Sequence, residues 1–436
     1  MKKILSFFMT AAAVMAASCD PVTPEAKTVE VKISLEKDNA PFDMADVKVA
    51  LRETNGSAAY ESLTDATGTA VFNVPAGLYE ASASYKKIED GNVFVYNGVN
   101  SDVSVVSGGG DNSFSLTLVE SKSSQIVIKE LYFGGCQKDD GSGAFTNDGY
   151  VILYNNSDVE VNASDVCFAY ASPFNAHATN KFLANGELSY VSQGWLPAGT
   201  STWWFTRDDI VIAPYSQIVI SFFGAIDHTQ TYSNSVNLSN ADFAMYDPEQ
   251  YTNAKYVVSE NMPSSNYLKT YRYGLGNAWV LSQNSPGFYI YSKSDNDTYS
   301  ADTSNYDYTD GEKMPCLKVD FDWVTDAVDV FQKDKIAESN KRFPASIDAG
   351  YVLFTNNQGY SAYRNVDKEA TEAIAENEGK IVYNYAGGTA DVEGTTDPSG
   401  IDAEASIKAG AKIVYMDSNN STNDFHQRKY ASLTGK

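Results

Sequence analysis

The chain has 436 residues, too many for one ordinary core, and its length predicts two to three domains. At 43% hydrophobic and 20% charged it is globular, neither disordered nor collagen-like. Its 56 acidic against 32 basic residues give a net charge of −24, which repels a polyanion, so no nucleic-acid partner is expected.

Lys2 and Lys3 precede an apolar run from Ile4 to Ala17, and Ala16-Ala17-Ser18 forms a small-residue cleavage site. Residues 1–18 therefore read as a secretion signal, too short to span a bilayer and without a stop-transfer flank. Cys19 stands at the cleavage point. The run Ala16-Ala17-Ser18-Cys19 resembles a bacterial lipobox, departing from it at Ala16, where leucine is commonest. That resemblance implies an acylated Cys19 at the mature amino end, with outer-membrane lipid as its partner. Several acyl chains, at about 0.8 kcal/mol per buried methylene, hold a soluble body on a bilayer. Residues 19–27 then form a polar, Pro-containing tether. In lipoproteins of the Bacteroides type, acidic residues after the cysteine direct the protein to the outer face of the outer membrane. Asp20 and Glu25 match that pattern in part, so an outward-facing location is the expectation.

From Thr28, Val29, Val31, Ile33 and Leu35 alternate with Glu30, Lys32 and Ser34, the period of a half-buried strand. Further strands are predicted at Val47–Leu51, Ala70–Val74, Leu78–Tyr85, Val93–Tyr96 and Phe114–Val119. Strands at this spacing, punctuated by glycine and proline, predict a small β-sandwich over 28–121. Gly68, Phe72, Pro75, Gly77 and Tyr79 follow a G-x-x-x-F-x-x-P-x-G-x-Y run. The segment resembles the carboxypeptidase regulatory-like domain, which implies a spacer or stabiliser and no peptidase.

A boundary falls near Val119–Ser124, and a second β-rich region, 122–436, begins with the strand Gln125–Phe133. Its clearest other strands are Asp148–Tyr154, Ile210–Ile212, Gln217–Phe223, Gly287–Tyr291, Tyr351–Phe354 and Lys412–Tyr415. One helix is predicted over Asp367–Glu378, with Asn365 or Asp367 as N-cap and Gly379 as its stop. Thr325–Lys341 reads as a strand in its early part and a short helix later. The fold class expected is all-β: two Ig-like sandwiches, the second enlarged by insertions carrying one or two short helices.

The runs Ile126–Gly135, Asp148–Val166, Ile212–Phe222 and Val236–Asp247 resemble a lamin-tail-type domain. Tyr363–Ile374, Asp397–Ile407 and Asn419–Lys429 resemble an uncharacterised family of Bacteroides-type lipoproteins. The family resemblance implies a setting beside TonB-dependent outer-membrane receptors in nutrient uptake.

Three cysteines remain in the body, Cys136, Cys167 and Cys316, so at most one disulfide forms; Cys136–Cys167 is open to bridging, and buried free thiols are the alternative. No Cys or His stands at metal-ligand spacing. Motifs for a serine nucleophile, a zinc protease or a nucleotide loop are absent. His177, His228 and His426 are the only histidines, and Asp227-His228 cannot pair on a strand because neighbours point to opposite faces. No enzyme and no catalytic residue is therefore expected.

Two acidic loops raise calcium as a structural ion: Asp139, Asp140 and Asp148 in one, and Ser294–Lys313 in the other. Neither fits the D-x-[DN]-x-[DN]-G spacing, and solvated loops are the plainer expectation; no cofactor is required. Aromatic residues make 13% of the chain. Trp195, Trp203, Trp204 and Trp279 are candidate ligand-binding residues, since an exposed indole would stack on a glycan or grip a peptide. On a strand, Trp203 and Trp204 face opposite sides, and both are buried only if both faces of the sheet are covered. The function expected is non-catalytic ligand capture, or accessory support for a TonB-dependent importer, by a lipid-anchored outer-membrane protein. The alternative is a structural or adhesive surface protein that contacts host or neighbouring cells.

Overall fold

The computed structural model describes residues 27–54, 58–89, 92–122, 124–279, 281–389 and 395–434. The signal segment and the lipidation candidate Cys19 lie outside these described residues. What is described is predominantly β-strand with a few short helices, as the sequence predicts.

The first lobe is a two-sheet sandwich. Strand β1 (Thr28–Lys37) buries Val31, Ile33 and Leu35 and exposes Glu30 and Lys32. It pairs antiparallel with β5 (Thr69–Pro75) and parallel with β8 (Ser113–Thr117), while β2 (Ala40–Pro41) hairpins onto its end. The second sheet runs in the order β4 (Ala59–Leu63), β3 (Lys48–Glu53), β6 (Gly77–Glu89), β7 (Asn92–Val105) and β9 (Val119–Lys122). The inner faces of the two sheets close over Val31, Ile33, Val49, Leu51, Phe72 and Tyr79. Gly68 sits at φ +70°, and a Cβ there would stand 2.1 Å from the Phe42 carbonyl oxygen, so only glycine fits. The Tyr79 hydroxyl donates to the Pro75 carbonyl at 2.9 Å and pins the turn between β5 and β6.

The second lobe is built on one long sheet. The strands of that sheet and of a smaller one laid over it are, in chain order, β10 (Ile126–Tyr132), β11 (Tyr150–Asn155), β12 (Val166–Tyr170), β13 (Trp195–Gly199), β14 (Ser201–Trp204) and β15 (Gln217–Ser221). There follow β16 (Phe243–Met245), β17 (Tyr267–Arg272), β18 (Gly287–Ser292), β19 (Tyr306–Asp307), β20 (Cys316–Asp320) and β21 (Val324–Gln332), then β22 (Val352–Phe354), β23 (Ser361–Arg364) and β24 (Phe425–Arg428). Twelve of these form a continuous path, β22-β21-β18-β12-β14-β17-β16-β15-β11-β10-β23-β24. The path folds back on itself. Val328, Ile290 and Phe168 from one half meet Ile128, Leu131, Val151 and Leu153 from the other in a common core. Near the seam, the Thr355 amide donates to the Gln427 side-chain oxygen at 2.5 Å.

Every residue of β10, β11 and β12 is buried, because the outer faces are covered too. A small sheet, β13-β20-β19, lies over one half and packs Leu196, Leu317 and Val319 against Ala169, Trp204 and Tyr289. The C-terminal segment covers the other half, setting Ile401, Ile413 and Tyr415 on Val127, Tyr154 and Tyr363.

Several local expectations change. Lys412–Tyr415 is not a strand; Tyr415 makes only an isolated bridge to Val366, and its segment serves as cover. The helix expected over Asp367–Glu378 splits into Lys368–Glu372 and a 3-10 turn at Ala375–Asn377, with Asp367 capping the Ala370 amide at 3.1 Å. Strand then short helix holds for Thr325–Lys341, as β21 and a 3-10 segment at Lys333–Glu338. The one or two helices expected become four α-helices among the described residues, α1 (Asn296–Ala301), α2 (Lys368–Glu372), α3 (Ala403–Lys408) and α4 (Ser421–Asp424), each at most six residues long.

Candidate functional site

The four tryptophans proposed as ligand-binding residues are between 0 and 7% exposed, and none offers a ring face to a ligand. Trp203 and Trp204 do point to opposite sides of the sheet, and both sides are covered. Trp203 packs with Tyr251 and Trp279 in the central core, and Trp204 lies in the outer layer beside Cys167 and Tyr289. Trp195 sits edge-on to Phe182 and against Tyr190, and Trp279 meets Phe168 and Phe222. Their burial replaces the stacking role with a packing role.

The calcium candidates do not converge either. Asp139 accepts from the Ser233 amide and hydroxyl at 3.0 Å, and Asp140 closes its own turn on the Ser142 amide at 2.9 Å. Asp148 is buried and accepts from the Ser235 hydroxyl at 2.6 Å, the Tyr132 hydroxyl at 3.0 Å and the Cys136 thiol at 3.7 Å. Among the described residues no three His, Cys, Asp or Glu side chains are grouped to hold a metal. Burial raises Asp148 to about 6, and burial together with Asp148 pushes Cys136 up to about 12. Cys136, Cys167 and Cys316 are all buried free thiols, so the Cys136–Cys167 bridge does not form.

The histidines are structural in their contacts. Asp227 caps the short 3-10 turn that carries His228. His426 is held at both nitrogens: Nδ1 donates to Asn365 Oδ1 and the Tyr385 hydroxyl donates to Nε2, each at 2.7 Å. Burial first, and then Arg428, push its pKa down to about 3.

The site that the sequence did not mark lies between the lobes. The outer face of the first lobe's second sheet turns small and polar side chains toward the body: Ala50 from β3, Ser82 and Ser84 from β6, Ser101 from β7. Two adjoining cavities, of about 360 and 600 Å³, open above that face and share Arg52, Ser82 and Thr422. The opposite wall is made by the second lobe, from Phe343 and Tyr351 near the seam to Thr396 and Asn423. An inter-lobe hydrogen bond crosses beside the cleft, from the Asn97 amide group to the Ser418 carbonyl. The first lobe's face, with Ala50, Ser82 and Ser84, supplies only small side chains to meet the Phe343, Leu353 and Phe425 of the opposite wall.

The wall facing the sandwich is rigid. Thr422 Oγ1 accepts from the Tyr351 amide at 3.0 Å and donates to the Tyr351 carbonyl at 2.9 Å. Gly350 allows that approach, since a Cβ would lie 2.0 Å from Asn420 Oδ1 and 2.5 Å from the Thr422 amide. The Tyr351 ring stacks on Phe331 at 4.2 Å and 12°. Behind it, Arg342 pairs with Asp329, and Lys341 lies 3.5 Å from both Asp329 and Asp348. Arg364 is buried between Asp326, Asp417 and Asp424, and Asp326 also receives the Ile128 amide at 2.6 Å. Burial raises the Asp326 pKa against the pull of Arg364.

Residues 213–399 match the model of a family described as "Protein of unknown function (DUF4876)". The match takes in the Tyr351 wall of the cleft. The chain is also similar to the crystal structure of a DUF4876 family protein from Bacteroides thetaiotaomicron, with a TM-score of 0.52 at 17% identity, over 91% of this chain and 94% of that one. That alignment shows a shared fold. Fainter likenesses are to a candidate adhesin from Bacteroides ovatus (TM-score 0.19, 12% identity, 58% of this chain and 99% of that one) and to the major pilin subunit of Bacillus cereus (TM-score 0.16, 11% identity, 70% and 95%). Scores that low carry no argument about fold or role. No curated protein matches the chain.

Proposed function

We propose that the protein is a lipid-anchored component of the outer membrane, facing outward, that captures a ligand between its two lobes without chemical conversion and supports a TonB-dependent importer. The inter-lobe cleft is the observation that carries the capture role. It is roomy, lined by both polar and apolar groups, and bounded by two separately cored lobes, the setting in which ligand sites commonly occur. Several of its ionisable groups have structural duties. Lys341 is tied to two carboxylates, Glu80 accepts from the Ser101 hydroxyl at 2.9 Å, and His426 is doubly hydrogen-bonded with a pKa far below neutrality. Acid–base catalysis wants a group with a pKa near the working pH and within reach of substrate. His426, pushed far below neutrality, does not meet the first condition.

Anchoring is supported by the Ala16–Cys19 run, and the importer by the resemblance of Tyr363–Ile374, Asp397–Ile407 and Asn419–Lys429 to lipoproteins found beside such receptors. Affinity isolation from detergent-solubilised native membranes tests both. The expected result is a co-isolated β-barrel receptor, with Cys19→Ala moving the protein out of the membrane fraction. A wild-type chain recovered in the soluble periplasm, beginning at another residue, contradicts the anchor; a membrane-bound chain that never brings a barrel with it contradicts the importer role.

A further inference from the structure

We propose that the inter-lobe cleft takes an oligosaccharide, with the Tyr351 ring as its stacking platform; this inference rests on the ligand-capture reading above. The floor decides between ligand classes. Strands β3 and β6 are interior to their sheet, flanked by β4 and β7, so their backbone groups are consumed in ladders and only side chains face the cleft. An extended peptide is held through an open strand edge or through apolar pockets for its side chains. The floor offers no strand edge and, apart from Val99, no sizeable apolar side chain; it presents the Ser82 and Ser84 hydroxyls around Ala50, with the Ser101 hydroxyl already donating to Glu80. Among the described residues, the hydroxyls of Ser82 and Ser84 and the guanidinium of Arg52 have no hydrogen-bond or ion-pair partner.

A sugar ring has an apolar C–H face and a rim of hydroxyls that both donate and accept. Its natural site pairs a fixed aromatic ring with hydroxyl, amide and guanidinium groups at the edges. Tyr351 is fixed by Phe331 on one side and by Thr422 at its backbone, and it lines the cleft half-buried. Its hydroxyl reaches toward the first lobe, where the charges of Glu80 and Arg52 act on it. The two adjoining cavities run across the face, which suits a chain of sugar units better than a single compact ligand.

The test is titration calorimetry of the full mature chain with hexasaccharides of glucan, mannan, xylan and polygalacturonate, and in parallel with a tryptic peptide mixture. At least one saccharide is expected to bind, Tyr351→Ala to weaken it tenfold or more, and Ser82→Trp to abolish it. Ser82→Trp fills the cleft from a strand face turned away from the sandwich core, so it keeps the fold, which circular dichroism checks. Val191→Ala, at an exposed site outside the cleft, should leave the affinity unchanged. Binding of the peptides alone, binding of none of the saccharides, or saccharide binding indifferent to Ser82→Trp each overturns the ligand class. None of these outcomes bears on receptor co-isolation or Cys19 anchoring, so the two failures stay distinguishable.

Discussion

Asp148 shows how a residue that looks like a metal ligand in a loop becomes a strained part of the core. It has three donors on one oxygen, while its other oxygen is buried without a partner. Burial raises its pKa from 3.8 to about 6. A carboxyl raised in the folded state is neutral in both states only below about pH 3. As pH rises from about 3 through 6 the unfolded chain releases its proton first, and stability falls by roughly 2 to 3 kcal/mol. Denaturant unfolding of wild type and Asp148→Asn across pH 4 to 7.5 should therefore show the difference moving in favour of the variant as pH rises, by about that amount. A difference that stays flat with pH would mean that Asp148 is not held in this environment.

At the scale of elements, strand β10 explains both what could be read beforehand and what could not. Its apolar residues mark a strand, but they do not show where Lys129 and Glu130 find partners. In the fold both are buried: Lys129 lies 2.7 Å from Glu404 and is ringed by Tyr154, Tyr363 and Tyr415, and Glu130 accepts from Ser361 and Ser432. Burial alone would raise Glu404, and Lys129 more than reverses it, holding the carboxyl at about 2. Lys129→Met removes the cation that joins β10 to the C-terminal cover, and should cost roughly 3 kcal/mol in chemical denaturation at neutral pH. A loss below about 1 kcal/mol would show that the cover is held by its apolar contacts instead.

The same layering governs the rest. Alternation in β1 was legible because its outer face meets water, as the period of two requires. Trp203 and Trp204 could be placed on opposite faces from spacing alone, yet their burial depends on Tyr251 and Trp279 on one side and on β20 on the other, which come much later in the chain. Lys412–Tyr415 was misread because an apolar segment that caps a sheet has the same composition as one that joins it.

Over the whole molecule, the two lobes are each well packed inside and poorly filled between. The cleft could not be read from local pattern, since Ser82 and Thr422 meet only in the fold. The one hint was Ala81-Ser82-Ala83-Ser84, a strand whose outward positions are too small to pack against a neighbouring domain. In a chain of net charge −24 the gap is close to balanced: Lys48, Arg52, Lys341 and Lys368 line it with Glu61, Glu80, Asp348 and Asp367. The most direct test is maleimide labelling of a Ser82→Cys variant in the native, purified chain. Cys136, Cys167 and Cys316 are buried and serve as the internal reference. Rapid labelling at position 82, with the three native thiols silent until denaturation, is the expected result; protection of position 82 to the same degree as Cys167 would mean that the lobes close on each other and leave no site.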